Sequence, residues 1–214
     1  MPSSPVSTPT ANSSSPRATH TAPTPANSPT ATPPAAEQLG HDQAAVRLAG
    51  VYALTRLADD WTEQRQVCID VLCAYLRMPY EPDPTAPGHK EGEREVRQTI
   101  IRVIRGHLQE PDAATAWCRH DFNFTGAVFD GGNFSTSHLR GTTSFFGATF
   151  SDGTLTFSRA TFSGGAVTFD RATFSRGRVT FERSTLTGGT VTFDDPTFSG
   201  TVFEWGPLPV PAGA

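Results

Sequence analysis

The sequence predicts a mainly-β repeat fold, preceded by a small α-helical segment and a disordered N-terminal tail. Three observations carry that expectation. The second half repeats every twelve residues, a central stretch spaces apolar residues as a helix does, and the opening stretch has almost nothing to bury.

Residues 1–36 of the 214-residue chain are nearly all Pro, Ser, Thr, Ala and Asn, with Val6 the one aliphatic side chain larger than Ala. Ordering such a stretch costs about 1–2 kcal/mol of backbone entropy per residue, with no burial in return. It reads as a disordered tail. No apolar run is long enough for a secretory signal or a transmembrane segment, which makes the cytoplasm the expected compartment. The three cysteines, Cys68, Cys73 and Cys118, are an odd number without paired spacing and read as reduced thiols. A formal net charge of −4 argues against a strongly basic binder of nucleic acid or anionic membrane.

Residues 37–112 read as about three helices. Val46, Ala49, Ala53 and Leu57 recur at helical spacing, and Val67, Val71, Leu72, Tyr75 and Leu76 do so again. Asp60 and Glu63 are placed to cap the second helix, with the break near Trp61. After a Pro-rich loop, Val96, Ile100, Val103, Ile104 and Leu108 mark a third helix that ends near Pro111. Helices this short enclose little core, so they are expected to pack together and against the first coil of the repeat. Cys68 and Cys73, five apart on one helix, have neither zinc-knuckle nor redox spacing.

Beyond them, ATFSDGTLTFSR, ATFSGGAVTFDR, ATFSRGRVTFER and STLTGGTVTFDD follow one another directly. Large residues alternate at five and seven, and two places before each stands a smaller residue such as Ala148, Val167 or Ala172. Apolar, Thr, apolar is the period of a short strand with both apolar side chains on one face. Each twelve-residue unit therefore holds two short strands, one tight corner and one wide corner. Gly153, Gly165, Gly177 and Gly189 recur in the wide corner, where freedom to take positive φ eases the turn.

Upstream, Phe124, Phe129, Phe134 and Leu139 are spaced by five, in FNFTG, AVFDG, GNFST and SHLRG. Here the chain resembles the pentapeptide-repeat family, whose units carry a central Leu or Phe with a small residue two places earlier. The stretches QLGHDQAAVRLAGVYALTRLADDW and VLCAYLR also look like the helical segment that precedes the repeats in a bacterial subgroup of that family. The resemblance implies a right-handed quadrilateral β-helix over residues 113–205, one pentapeptide per side, with 206–214 as a C-terminal tail. Grouped by four, the central residues form the columns Phe124, Phe145, Phe169, Phe193; Phe129, Phe150, Phe174, Phe198; Phe134, Phe157, Phe181, Trp205; and Leu139, Phe162, Leu186. At ~4.8 Å between neighbouring strands the tower would stand about 18 Å high. A flattened solenoid with one repeat per coil, its Thr rows suited to ice, is the competing geometry. Two Phe rings per layer would overpack so narrow a coil.

No pattern for catalysis, cofactor or metal binding emerges. His41, Asp42, His89, His107, His120 and Cys118 are scattered, and Cys118 with His120 lacks a second pair of ligands. Asn123-Phe124-Thr125 and Asn133-Phe134-Ser135 match the glycosylation pattern only because outward residues flank a core Phe. The expected function is a non-catalytic scaffold that presents a rigid surface to a protein partner, with an end of the β-helix available to a second copy. The alternative implied by the family is a DNA-mimicking regulator of gyrase or another topoisomerase. Mimicry needs rows of unpaired acid, whereas residues 121–205 carry eight acids and six bases.

Overall fold

The computed structural model describes residues 32–211, so nearly all of the expected tail and the last three residues lie outside the described part. Helix α1 (Thr32–Leu39) begins inside the stretch read as tail. Ala35 and Leu39 are buried where α1 crosses α2 (Ala44–Asp60) at Gly50. A Cβ on Gly50 would lie 3.0 Å from the Ala35 carbonyl oxygen and from Leu39 N, so glycine permits the close approach.

The buried face of α2 differs from the one its apolar residues suggest. Val51, Leu54 and Ala58 are buried together with Arg47 and Gly50, while Ala49 and Ala53 are exposed. The helix is turned because Arg47 is drawn inward, its guanidinium 3.4 Å from Glu93 and hydrogen-bonded to the His41 and Glu91 carbonyls. A buried charge with several partners outweighs a few alanines. The expected Asp60–Glu63 cap is absent too. Asp60 ends α2 and pairs with Arg56 at 3.4 Å, and a 3₁₀ turn, Thr62–Gln64, intervenes before α3 (Arg65–Arg77). Neither Trp61 nor Gln64 makes a side-chain cap.

Two further buried arginines close helix ends. Arg65 Nε donates to the Ala58 carbonyl at 2.8 Å at the end of α2, and Arg97 donates to the Tyr75 and Leu76 carbonyls at the end of α3. Such donors satisfy carbonyls that have no partner within their own helix and favour the negative end of its dipole. Arg97 lies on α4 (Glu93–His107) and also reaches the Val128 carbonyl at 3.1 Å, tying three segments together. Val96, Ile100, Ile101 and Ile104 form the buried face of α4, with Val103 only partly covered.

From Phe122 the chain winds into a parallel β-solenoid of fifteen strands in four sheets. The first sheet stacks Phe122–Asn123, Thr143–Ser144, Ala166–Thr168 and Thr190–Thr192. The second stacks Val128–Phe129, Thr149–Phe150, Thr173–Phe174 and Thr197–Phe198. The third stacks Gly132–Asn133, Thr154–Thr156, Arg178–Thr180 and Val202–Glu204, and the fourth His138–Leu139, Thr161–Phe162 and Thr185–Leu186. Two twelve-residue units make each later coil, since paired strands such as Thr149–Phe150 and Thr173–Phe174 lie 24 residues apart. The narrow single-repeat coil is therefore excluded.

The interior is a set of ring columns. Phe145 and Phe169 lie 4.8 Å apart and nearly parallel, as do Phe150 and Phe174, while Phe157 and Phe181 are 5.0 Å apart. Neighbouring columns meet edge to face, as between Phe157 and Phe169, which suits the ring quadrupoles. Ala127, Ala148, Ala160 and Ala172 fill the smaller inward positions. Ser137 and Ser184 take the same place beside Ala160 in the fourth sheet, each with a buried hydroxyl that has no partner among the described residues.

The two kinds of corner have different requirements. In the tight corner the Phe carbonyl accepts from the amide three residues on, as in Ala160 N to Phe157 O at 2.9 Å. The third residue of that turn has positive φ: glycine at Gly126 and Gly147, but arginine at Arg159 (58°), Arg171 (54°) and Arg183 (56°). Of the four recurring glycines of the wide corner, only Gly153 and Gly177 have positive φ, at 71° and 81°. Gly165 needs space instead, since a Cβ there would lie 2.1 Å from the Gly141 carbonyl oxygen.

The helices close the first end of the solenoid and share its core. Trp117 and Phe122 are buried at the junction, and the Leu108 and Cys118 carbonyls accept from His138 N and Arg140 N at 2.7 and 2.8 Å. Among the described residues no such cover lies over the other end. Leu186, Val191, Phe193, Phe198, Phe203 and Trp205 are only partly buried there, although Leu208 folds back and is itself buried.

Candidate interaction surface

The titratable residues that could carry chemistry are held apart. Cys118 Sγ faces the Leu108 carbonyl at 3.5 Å, while His120 Nδ1 lies 3.1 Å from Gln66 Oε1 on α3. His41 accepts from Gln43 N, His89 lies against the Glu81 carbonyl, and His107 sits between the Val103 carbonyl and Asp59, stacked on Trp117 at 4.1 Å. His41 and His89 stay within their own loops, whereas His107 and His120 also reach across to Asp59 and Gln66. Among the described residues no group of three or more His, Cys, Asp or Glu is placed to hold a metal ion. Cys68, Cys73 and Cys118 are buried free thiols, and burial pushes Cys73 up to about 12. A thiol held protonated in this way is a poor nucleophile.

The glycosylation-like asparagines have a local role. Asn123 accepts from Thr125 N at 3.1 Å and Asn133 from Ser135 N at 2.9 Å, so each shapes the turn that follows its strand.

The residues of the four expected columns fall in two environments. Phe124, Phe129, Phe134, Leu139, Phe145, Phe150, Phe157, Phe162, Phe169, Phe174 and Phe181 are buried, whereas Leu186, Phe193, Phe198 and Trp205 at the open end are half-buried. Phe203 lies over Phe181 at 6.5 Å, and Trp205 turns its ring onto Phe203 at 4.0 Å and edge-on to Phe193 at 5.1 Å. This fits the register, in which Phe203 pairs with Val179 and brings a second ring into the last coil.

What the solenoid shows to solvent is polar and close to charge-balanced. Thr149, Thr173 and Thr197 form one outward row, and Ser144, Thr168 and Thr192 another. Arg183 pairs with Glu182 at 3.3 Å, Arg178 with Glu204, and the Arg171 guanidinium lies 5.5 Å from the Phe146 ring centroid. Asp170 accepts from Asp194 N at 2.8 Å, and despite partial burial such hydrogen bonds hold its carboxyl below the usual range.

Sequence reasoning missed the polar face of α4. Arg94, Gln98, Arg102 and Arg105 follow at four, four and three, which is itself a helical signal, but only the fold shows that they face the third sheet. Asp130 joins them, accepting from Arg94 at 2.7 Å and from Tyr80 at 2.8 Å.

These features define a β-solenoid repeat protein with a helical cap at one end. Residues 124–173, which lie within the solenoid, match the family model described as pentapeptide repeats (9 copies). No curated protein and no solved structure matches the chain. No helix among the described residues is long and apolar enough to cross a membrane.

Proposed function

We propose that this chain is a non-catalytic scaffold that binds a protein partner through the outward faces of its solenoid, in the cytoplasm. The observation that carries the reading is the contrast between inside and outside. Rings spaced by about 5 Å hold the strands rigid, while threonines, serines and balanced charges occupy outward positions that the core does not need. A preformed surface binds without a large ordering cost. Three buried free thiols suit a reducing compartment.

The half-buried rings of the last coil extend the reading to a second copy. Phe198, Phe203 and Trp205 form an apolar end next to strand edges that have no further partner among the described residues, a surface for two chains to cover end to end. Regulation of gyrase by DNA mimicry is the weaker reading. The pairing of Arg178 with Glu204 and of Arg183 with Glu182 leaves no continuous acidic row, and supercoiling is expected to proceed unchanged at micromolar protein.

Cross-linking in the source cell, followed by mapping of the linked residues, tests the proposal. The expected result is one recurrent partner whose links fall on outward solenoid positions. Links confined to residues 1–31, or turnover of a substrate by the purified chain, would overturn it.

A further inference from the structure

A polar cleft runs along the seam where α4 packs on the third sheet, Gln98 donating to the Gly131 carbonyl at 3.3 Å. Three hollows of about 420, 330 and 260 Å³ run into one another, the first two sharing Arg94, Asp130 and Gly153, the second and third sharing Gln98 and Asn133. Arg94, Gln98, Arg102 and Arg105 form the helix wall, and the outward Asn133, Thr154 and Thr156 face them from the sheet. From 94 to 105 a helix rises about 17 Å. That length accommodates about five residues of extended chain at ~3.3 Å each.

The charges of this cleft are unevenly satisfied. Asp130 is already bound by Tyr80, Arg94 and Gln98, so it neutralises Arg94 and leaves little free acceptor. Asp83 and Asp152 line the far end but are turned to their own loops, accepting from Thr85 N at 2.8 Å and Gly153 N at 2.7 Å. Arg102 pairs with Glu95 at 3.2 Å, and both side chains are more than half exposed, so the pair is readily exchanged. Arg105 at one end and Arg176 at the other have no carboxylate partner among the described residues, and each only donates to a backbone carbonyl, of Ser135 and Ser151. Among the described residues, those that line the hollow around Arg102 and Arg105 include no acid, Glu95 meeting Arg102 from outside it.

From this geometry we infer that the cleft binds an extended, acidic segment of the partner protein, its carboxylates meeting Arg102 and Arg105 and its backbone lying along Asn133 and Thr156. The inference rests on the scaffold reading and narrows it to one face and one chemistry. Guanidinium groups bind carboxylates through two parallel hydrogen bonds, so a donor-rich groove in a chain of net charge −4 selects acid locally.

Fluorescence anisotropy of the full-length chain with a labelled eight-residue peptide of alternating Glu and Ser tests it, with Gln-Ser as the neutral control. The Glu peptide should bind at least tenfold more tightly than its control. R102E/R105E should lose at least tenfold, while R159E/R183E, the same charge change on a solenoid corner, should shift affinity less than twofold. Unchanged melting temperatures would show both variants folded. Equal binding of the two peptides, or equal losses in the two variants, would overturn the inference. Cross-links to a partner elsewhere on the solenoid would then leave the scaffold reading standing, whereas absence of any partner would remove both.

Discussion

Replacing Phe169 by Ala removes a ring stacked between Phe145 at 4.8 Å and Phe193 at 4.9 Å, with Phe157 and Phe181 edge-on at 5.8 Å. The coils on either side cannot close the space, because Phe169 N donates to the Thr192 carbonyl at 2.9 Å and Phe145 N to the Thr168 carbonyl at 2.7 Å. Lost burial and a persistent cavity together put Phe169→Ala near the upper part of the range for such changes, about 4–5 kcal/mol. Thr168, one residue earlier, points outward and accepts from Asp170 N at 3.2 Å. Thr168→Ser keeps that hydroxyl and should cost a few tenths of a kcal/mol. Phe193 is half-buried under the open end, so Phe193→Ala should fall between them, at roughly 2 kcal/mol. Urea unfolding of the three variants measures the series. Equal, small losses at Phe169 and Thr168 would refute the alternating strand and the stacked interior together.

Arginine in the left-handed conformation is strained by about 1 kcal/mol or more, so Arg159→Gly and Arg183→Gly should each stabilise the chain by up to about 1 kcal/mol, as glycine already serves at Gly126 and Gly147. A lowered melting temperature would contradict this. Gly165→Ala should cost more than about 2 kcal/mol, because its Cβ would meet the Gly141 carbonyl at 2.1 Å, and a neutral result would mean that the wide corners do not stack as described. Burial, and then the Arg65 guanidinium, lower the pKa of His120 below 6.5. The unfolded chain therefore takes up that proton first as pH falls, so stability should decline from pH 6.5 down to the lower folded value. His120→Gln should flatten the decline, and an unchanged slope between pH 6.5 and 5 would refute the assignment.

The solenoid was legible in the sequence because its core is periodic: a ring at every coil leaves the same mark whatever the corner length. What escaped lies where no period exists. The buried face of α2 is set by Arg47 and Gly50, one a charge and the other without a side chain, so hydrophobic spacing pointed to Ala49 and Ala53 instead. Gly165 and Gly153 look alike in sequence, and both lie against a carbonyl of the neighbouring coil, yet only Gly153 also has positive φ. Arg65 and Arg97 resemble surface arginines until the helix ends they close are seen in place. The cleft depends on two segments far apart in the chain, α4 and the third sheet, and helical spacing of Arg94, Arg102 and Arg105 gives only one of its walls.

On the proposed function, outward faces rather than any reactive side chain engage the partner. Lysine exchanges at Thr149, Thr173 and Thr197 on one face, at Ser144, Thr168 and Thr192 on a second, at Thr161 and Thr185 on a third, and R102E/R105E at the cleft would sample the surface. They are to be compared with a variant in which His107, His120 and Cys118 are all replaced, each scored by cross-linking to the recurrent partner in the source cell. At least one face variant, R102E/R105E foremost, should lose the partner while the His/Cys variant, if folded, keeps it. Loss in the folded His/Cys variant with every face variant unaffected would contradict the proposed function.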